Sequence, residues 1–203
     1  MISLLISIIP IQFIKIFLFN LLGYNIKNSK LGFFIIINSK SIKIENTEIK
    51  SFNIIKAEKI LIKNSTISYL NHFKNITLIE LIDTKIGKLN KFTADLKHKI
   101  YENSLQLNET NILNSNLFDL TSSIKITKSI IRNNCQFWTH EFNFLRKIKL
   151  GNIEIKNNVT INNFVIVLPS IKIESEISIS SATVVHKNLT EKGEYKSMLI
   201  TKK

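Results

Sequence analysis

The sequence contains few of the residues that usually form cross-links, bind metals or cradle phosphates. Its 203 residues include one cysteine, five glycines, two prolines and one tryptophan. The single Cys135 excludes an internal disulfide framework and fits a reducing compartment. No Walker A or Rossmann glycine pattern occurs. The four histidines are isolated from one another in sequence and there is no cysteine pair, so the sequence predicts no metal site.

Acidic residues are also scarce, with 15 Asp and Glu against 28 Lys and Arg, which gives a net charge of +13. This charge suggests a polyanionic partner. The alternative is compositional, because Lys, Asn and Ile dominate the whole chain, as an AT-rich genome would produce. No clustered basic helix or aromatic-rich binding motif occurs, so nucleic acid is not a predicted partner. An anionic cofactor or an anionic membrane surface would use the same charge.

Apolar β-branched residues recur at every sixth position in the C-terminal part of the chain. The first set is Ile155, Ile161, Val167, Ile173, Ile179 and Val185, and a second set is Val159, Val165, Ile171, Ile177 and Thr183. A period of six does not fit the 3.6-residue helical repeat. It predicts a parallel β-solenoid with one short strand and one corner per repeat, in which the β-branched side chains point inward.

The segment 155–188 resembles the closing run of the hexapeptide-repeat acyltransferases, and its Leu168-Pro169 pair falls where that run has Leu-Pro. Upstream, residues 135–140 (CQFWTH) are similar to the active-site segment of the sugar O-acetyltransferases in this family. Residues 118–124 (FDLTSSI) are similar to the pattern F-D-x-T-H-S-I, with Ser122 where His often stands. The resemblance implies an all-β fold, a left-handed parallel β-helix with a short N-terminal helix.

Three regions are expected: an apolar N-terminal helix in residues 1–23, the β-helix in 24–188 and a C-terminal cap in 189–203. The motif Ile-x-x-x-Asn recurs at intervals of about 18, 19 and 26 residues in the first half, which indicates triangular coils and one insertion near 94–104. A second loop, 141–151, interrupts the six-residue period. We expect the repeated Asn at coil corners with positive φ, rather than in a stacked ladder. A leucine-rich repeat is the structural rival, but its Leu spacing is missing.

Residues 1–22 form the most apolar segment, interrupted by Pro10 and Lys15. We expect a helix that begins near Pro10 and ends near Gly23. Its partner is left open between the solenoid end, a sister subunit and the membrane interface. A transmembrane helix is a further alternative.

The resemblance implies acetyl-CoA-dependent O-acetylation of a carbohydrate acceptor, in bacterial surface polysaccharide synthesis. It makes His140 the general base, with Asp119 or Glu141 as the partner of its other ring nitrogen, and Trp138 the wall of the acceptor pocket. Coenzyme A binding is assigned to Asn162, Ser180, Ser181 and Lys187, and more weakly to Lys196 and Lys202. No site is expected at His72, His98, His186 or Cys135.

The resemblance further implies a homotrimer in the cytoplasm, associated with the inner face of the cytoplasmic membrane if residues 1–22 make peripheral contact. Two other classes of protein stay open. The hexads lack Gly at their second position, which fits a catalytically degenerate β-solenoid acting as a scaffold or binding partner. The apolar segment 1–22 fits a membrane-anchored protein.

Overall fold

The computed structural model describes residues 2–38, 41–57, 59–76, 78–95, 97, 105–142, 145 and 147–196. Two helices, α1 (Ile2–Ile8) and α2 (Gln12–Leu21), precede 27 short strands in this part of the chain. All but two of the strands form three parallel sheets that run the length of the molecule. The protein is a left-handed parallel β-helix, as the sequence predicts.

Each coil contributes one strand to each sheet. Sheet A contains β1 (Ile26–Lys27), β4 (Ile42–Glu45), β7 (Ile60–Lys63), β10 (Ile79–Ile82), β13 (Leu105–Asn108), β16 (Ile124–Thr127), β21 (Ile153–Ile155) and β24 (Lys172–Ile173). Sheet B contains β2 (Lys30–Leu31), β5 (Glu48–Ile49), β8 (Thr66–Ile67), β11 (Lys85–Ile86), β14 (Asn111–Ile112), β17 (Ile130–Ile131), β22 (Thr160–Ile161), β25 (Ile177–Ile179) and β27 (Gly193–Tyr195). Sheet C contains β3 (Ile36–Ile37), β6 (Ile54–Ala57), β9 (His72–Ile76), β12 (Lys91–Thr93), β15 (Leu117–Asp119), β18 (Gln136–Phe137), β23 (Ile166–Val167) and β26 (Val184–Val185). The remaining strands, β19 (His140–Phe142) and β20 (Ile148–Leu150), form an antiparallel hairpin outside the coils.

The strand register gives the length of each coil. Ile42 pairs with Ile60, one triangular coil of three hexads later. Longer coils occur where Lys85 pairs with Asn111 and where Ile131 pairs with Ile161. The extra residues lie between β12 and β13 and between β18 and β21. Each coil contributes a strand to three parallel sheets, which excludes a leucine-rich repeat. In the predicted C-terminal cap, Leu189 and β27 still pair with the preceding coil.

The core consists of identical or similar side chains stacked from coil to coil. In sheet C, Phe73, Phe92, Phe118 and Phe137 are buried, with successive ring centroids 4.5–4.8 Å apart and nearly parallel planes. Parallel in-register strands place equivalent residues above one another at the strand spacing, which suits offset stacking of aromatic rings. The β-branched sets of the sequence form equivalent columns.

The repeated asparagines form a ladder and do not occupy the positive-φ corners, so the corner assignment was wrong. Asn53, Asn71, Asn90 and Asn116 are at most 1% exposed. The backbone N–H of each of the last three donates to the side-chain oxygen of the Asn one coil before it, at 2.9 Å. Cys135 N–H ends the ladder by donating to Asn116 Oδ1 at 2.8 Å. The amides supply acceptors where the chain turns and strand pairing is interrupted.

The left-handed residue at this corner directly precedes each ladder Asn. Phe52, Leu70, Leu89 and Ser115 have φ of 62°, 61°, 59° and 60°. Asn does have positive φ between sheets A and B, at Asn28, Asn46, Asn64 and Asn158, and once at the ladder corner, at Asn134 before Cys135. Bulky side chains pay a steric cost in this conformation, of order 1–2 kcal/mol per residue. The solenoid therefore turns without Gly by placing other residues at positive φ, both between sheets A and B and between sheets B and C.

The N-terminal region contains two helices rather than the one expected. Pro10 lies between them, and α2 begins at Gln12, after Ile11 in an extended conformation. Gly23, with φ of 83°, follows the end of α2 as predicted. Lys15 and Phe19 are fully buried against the solenoid. No helix in the described part of the chain is long and apolar enough to span a bilayer.

Candidate active site

The hairpin β19–β20 projects from the corner between sheets C and A, and His140 lies at its base. The chain leaves the coil after β18, and the hairpin closes where Gly151 N–H donates to Thr139 O at 2.9 Å. His140 pairs with Leu150 across the hairpin. Its side chain is 18% exposed. The insertion therefore holds His140 between the solenoid and the hairpin β19–β20.

His140 Nδ1 lies 2.7 Å from Asp119 Oδ2, on the preceding coil. A carboxylate oxygen accepts and does not donate, so Nδ1 carries the proton and Nε2 is the nitrogen with the free lone pair. The side chain of Asp119 is 6% exposed. This pair fixes both the orientation and the tautomer of the imidazole, which a general base requires.

Two threonines hold the Asp119 carboxylate in place. Thr121 donates to Oδ1 from its N–H at 3.2 Å and from its hydroxyl at 2.6 Å. Thr139 donates to Oδ2 from its N–H at 2.8 Å and lies with Oγ1 2.9 Å away. Thr139 Oγ1 also accepts from Ser122 N–H. Both backbone N–H groups can only donate, so both oxygens of Asp119 act as acceptors here. Sequence reasoning missed both threonines, although the spacings D-x-T and T-H were visible.

Aromatic rings flank His140 on two sides. The ring centroid of Trp138 lies 6.3 Å from that of the imidazole, and that of Phe142 lies 5.7 Å away, both edge-on. Trp138 Nε1 donates to Gln136 Oε1. Phe142 is 58% exposed and was not singled out from the sequence. Together the rings form an apolar surround for the imidazole, one that an acceptor of partly apolar character can contact.

Glu141, the other candidate partner of His140, points elsewhere. Adjacent residues of a strand face opposite sides, so its side chain cannot reach the same imidazole. It pairs instead with Lys149 across the hairpin at 3.1 Å, where both side chains are exposed. Ser122 bonds to Asn152 through its hydroxyl. Because residue 122 is Ser, and not the His that often stands there in the similar pattern, it adds no second imidazole to this site.

The residues assigned to coenzyme A occupy two different corners. Asn162 and Ser180 follow successive strands of sheet B, where Ile161 pairs with Ile179, and Ser181 is exposed beside them. Asn162 Nδ2 donates to Ile179 O at 2.8 Å, and Ser180 Oγ donates to Glu194 at 2.7 Å. These three lie across sheet C from His140. One chain therefore does not bring them together with the candidate base.

Lys187 occupies the same corner as His140, two coils later, about 10 Å along the solenoid at the usual strand spacing. It lines a depression of about 450 Å³ at the last coil, together with His186, Lys196 and Thr183. Thr183 Oγ1 is buried there and has no hydrogen-bond partner among the described residues. The cationic side chains of Lys187 and Lys196 in this depression are suited to contact an anionic group. Lys202 and His98 lie outside the described residues.

Cys135 is unsuited to nucleophilic chemistry. It is fully buried, and its Sγ lies 2.9 Å from Asn162 O. Burial raises the pKa of Cys135 to about 11, so the thiolate is suppressed at neutral pH. His72, on the outer face of sheet C, has its pKa lowered by burial and by nearby Lys74, Lys91 and Lys56. No group of three His, Cys, Asp or Glu in the part of the chain that the structure describes is arranged to hold a metal ion.

No protein-family model matches the sequence, and no curated protein matches it either. Three of the solved structures that resemble the fold are acyltransferases. A hexapeptide-repeat acetyltransferase from Vibrio cholerae O1 biovar eltor, VCA0836, bound to acetyl coenzyme A, is 16% identical over 57% of this chain and 67% of its own, with a TM-score of 0.46. The polysialic acid O-acetyltransferase OatWY is 15% identical over 83% and 84%, with a TM-score of 0.49. AntD, an N-acyltransferase from Bacillus cereus bound to dTDP and coenzyme A, is 11% identical over 88% and 82%, with a TM-score of 0.44. At these identities the likeness concerns the fold alone.

Proposed function

We propose that this protein is an acetyl-CoA-dependent O-acetyltransferase acting on a carbohydrate, with His140 as its general base. The observation that carries the proposal is the Asp119–His140 pair, buried on one side by the solenoid and flanked by two aromatic rings. A carboxylate held by four donors and joined to an imidazole is an arrangement suited to base catalysis. The sequence resemblance at residues 118–124 and 135–140 supports the same reaction.

In the proposed reaction, His140 Nε2 accepts the proton of a sugar hydroxyl while the oxygen attacks the thioester carbonyl of acetyl-CoA. The resulting tetrahedral intermediate collapses, the carbon–sulfur bond breaks, and the coenzyme A thiolate takes the proton from Nε2. Asp119 stabilises the imidazolium that exists between these proton transfers. The sugar presents an apolar ring face to Trp138 or Phe142, which orients the hydroxyl toward Nε2.

We further propose that the active enzyme is a homotrimer, because the proposed donor-binding residues are divided between two corners of one chain. In a closed ring of three, the corner that bears His140 and Lys187 would face a neighbour's corner bearing Asn162, Ser180 and Ser181. Each site would then take its base from one subunit and part of its coenzyme A contacts from another. Lys187 and Lys196 would contact the anionic phosphates.

Calorimetric titration of acetyl-CoA into the full chain, followed by a thiol-release assay with a panel of sugar acceptors, tests the proposal. We expect wild type and His140→Ala to bind acetyl-CoA alike, while His140→Ala loses about 10²–10⁴-fold in turnover. His72→Ala is the matched control, since His72 lies in β9, three strands before β18 in sheet C, and should keep its turnover. A folded wild type that does not bind acetyl-CoA would leave the non-catalytic scaffold as the better explanation.

A further inference from the structure

The helices α1 and α2 turn several polar side chains toward the solenoid and leave many apolar side chains exposed. Lys15 is fully buried, and its Nζ donates to Leu31 O at 3.0 Å and to Gly32 O at 2.9 Å. Gln12 bonds through its amide to both the N–H and the carbonyl of Leu31. Asn20 does the same with Ile26. These contacts reverse the usual amphipathic arrangement of a surface helix.

The reversal follows from what the helices cover. The first coil of a β-helix has no strand before it, so its backbone N–H and C=O groups along the axis lack partners. Asn20 bonds to backbone groups of β1, and Gln12 and Lys15 bond to backbone groups of β2. Ser3 Oγ accepts from Ile37 N–H in β3 at 3.2 Å. All three sheet edges thus use polar side chains from the helices. Ile6 and Phe19 are the buried apolar side chains of the two helices, and many of the others face outward.

The outer face of the two helices is apolar and uncharged. Its most exposed members are Phe13 at 78%, Leu21 at 67%, Ile2 at 63%, Leu5 at 61% and Phe17 at 54%. The one charged residue between positions 2 and 22 is Lys15, which is buried. A contiguous exposed apolar surface of this kind marks an interaction site. We call it the outer helical face.

Exposed basic residues lie on the first coil, next to these helices in the fold. Lys27 in β1 and Lys30 in β2 are exposed, and residues 24–57 contain six Lys against two Glu. An apolar helical face bordered by lysines has the composition of a segment that lies in the interface of an anionic bilayer. A second copy of the chain would bring the same positive charge against it, which opposes end-to-end association.

We propose that the outer helical face binds the surface of a membrane containing anionic phospholipids, with α1 and α2 lying in the plane of the bilayer. Phe13 and Phe17, one turn apart on α2, enter the interfacial region, and Lys27 and Lys30 meet the lipid headgroups. The solenoid then stands away from the membrane. This binding is independent of the proposed acetyltransferase activity and is measurable without substrate.

Vesicle flotation with the full chain tests this binding, using phosphatidylcholine vesicles with and without phosphatidylglycerol. We expect wild type to bind the anionic vesicles, and Phe13→Ser/Phe17→Ser to lose at least about tenfold in partitioning. Both side chains are exposed, so the double variant should keep the thermal unfolding midpoint of wild type. Leu70→Ser/Leu89→Ser is the matched control, because it removes two exposed apolar side chains from the middle of the solenoid and should bind as wild type does.

Depth of insertion is measured with lipids brominated in their acyl chains, which quench nearby tryptophan. Phe13→Trp in a Trp138→Phe background should be quenched strongly, whereas the native Trp138 should not. Three results would overturn the proposal: no flotation with anionic vesicles, equal flotation of wild type and Phe13→Ser/Phe17→Ser, or self-association that this double variant abolishes in the absence of vesicle binding.

Discussion

Replacing Asp119 by Asn tests whether its charge, rather than its shape, supports His140. Asp119 Oδ1 faces Thr121 N–H, and Oδ2 faces Thr139 N–H and His140 Nδ1. The amide group of Asn has one acceptor and one donor end, so one of these backbone N–H groups must lose its acceptor. The less costly choice places the NH₂ group toward Thr121, because that contact is the longer one. The oxygen then still accepts from His140 Nδ1 and preserves its tautomer.

Under this arrangement the substitution removes mainly the charge that stabilises the imidazolium. Two unit charges about 4 Å apart interact by about 4 kcal/mol at an effective dielectric constant near 20. A loss of this size corresponds to a fall in turnover of about a thousandfold. The unsatisfied N–H adds a stability cost of about 1–3 kcal/mol, which is small enough for the variant to be assayed in its folded form.

The assay is thiol release from acetyl-CoA with an accepted sugar, alongside calorimetric binding of acetyl-CoA. Turnover of Asp119→Asn should fall about a thousandfold while acetyl-CoA affinity stays within twofold. Glu141→Gln serves as control and should retain wild-type turnover, because Glu141 pairs with Lys149 and not with His140. Turnover that is unaffected in Asp119→Asn, or reduced equally in Glu141→Gln, would refute the assignment of Asp119 as the partner of His140.

Two further predictions concern stability. Asn90→Leu should lower the free energy of unfolding by about 3 kcal/mol in urea, because Asn116 N–H and Leu113 O lose partners inside the solenoid. Asn114→Ala removes an exposed amide that accepts from Lys88 N–H and donates to Asn133 Oδ1; it should cost less than about 1 kcal/mol, and equal losses would contradict a special role for the buried ladder. Burial raises the pKa of Cys135 from 9.0 to about 11, so the thiol of the unfolded chain ionises at lower pH than the buried thiol does. The contribution of the buried neutral thiol to the free energy of unfolding is therefore fully present below pH 9 and is lost as the pH rises to 11. The free energy of unfolding of wild type should therefore fall by about 2–3 kcal/mol more than that of Cys135→Ala between these pH values. Parallel profiles of unfolding free energy against pH would contradict the raised pKa of the buried thiol.

The regular part of the fold could be predicted because its period is visible in single residue types. Ile155, Ile161 and Val167 are β-branched and buried, and a six-residue period kept up across polar corner residues fits a solenoid with one strand per hexad. The earlier coils were harder, since Asn serves two purposes in this protein. At Asn46 and Asn64 it occupies a left-handed corner, whereas at Asn71 it is a buried ladder residue. Both roles use a short amide, and a single sequence does not distinguish them.

The bulky residues beside the ladder explain why the corner was misplaced. Leu70 and Leu89 are apolar, and Asn71 and Asn90 are polar, so the ordinary preferences put Leu inside and Asn at the turn. The structure does the opposite: both leucines are more than half exposed with positive φ, and both asparagines are buried. Buried backbone groups at the turn need acceptors, and this requirement outweighs the cost of exposing Leu.

The candidate site was only partly visible in the sequence for a related reason. His140 and Trp138 are adjacent in sequence to a strand with a clear period, but Asp119 reaches His140 from 21 residues away. That contact depends on the register between β15 and β18, where Phe118 pairs with Phe137. Local sequence also allowed Glu141, which a strand directs to the opposite side. Choosing between the two carboxylates required the register, not the residue types.

The number of coils also fixes where the proposed site would stand relative to the proposed membrane surface. In sheet C, β18 lies five strands after β3, the strand bonded by Ser3 of α1. Five spacings of about 4.8 Å place His140 about 24 Å along the axis from the first coil. A solenoid seated upright on the outer helical face would therefore present its base well above the lipid headgroups. It would act on an acceptor that extends at least this far from the bilayer, which favours a polymer chain over the headgroup of a single lipid.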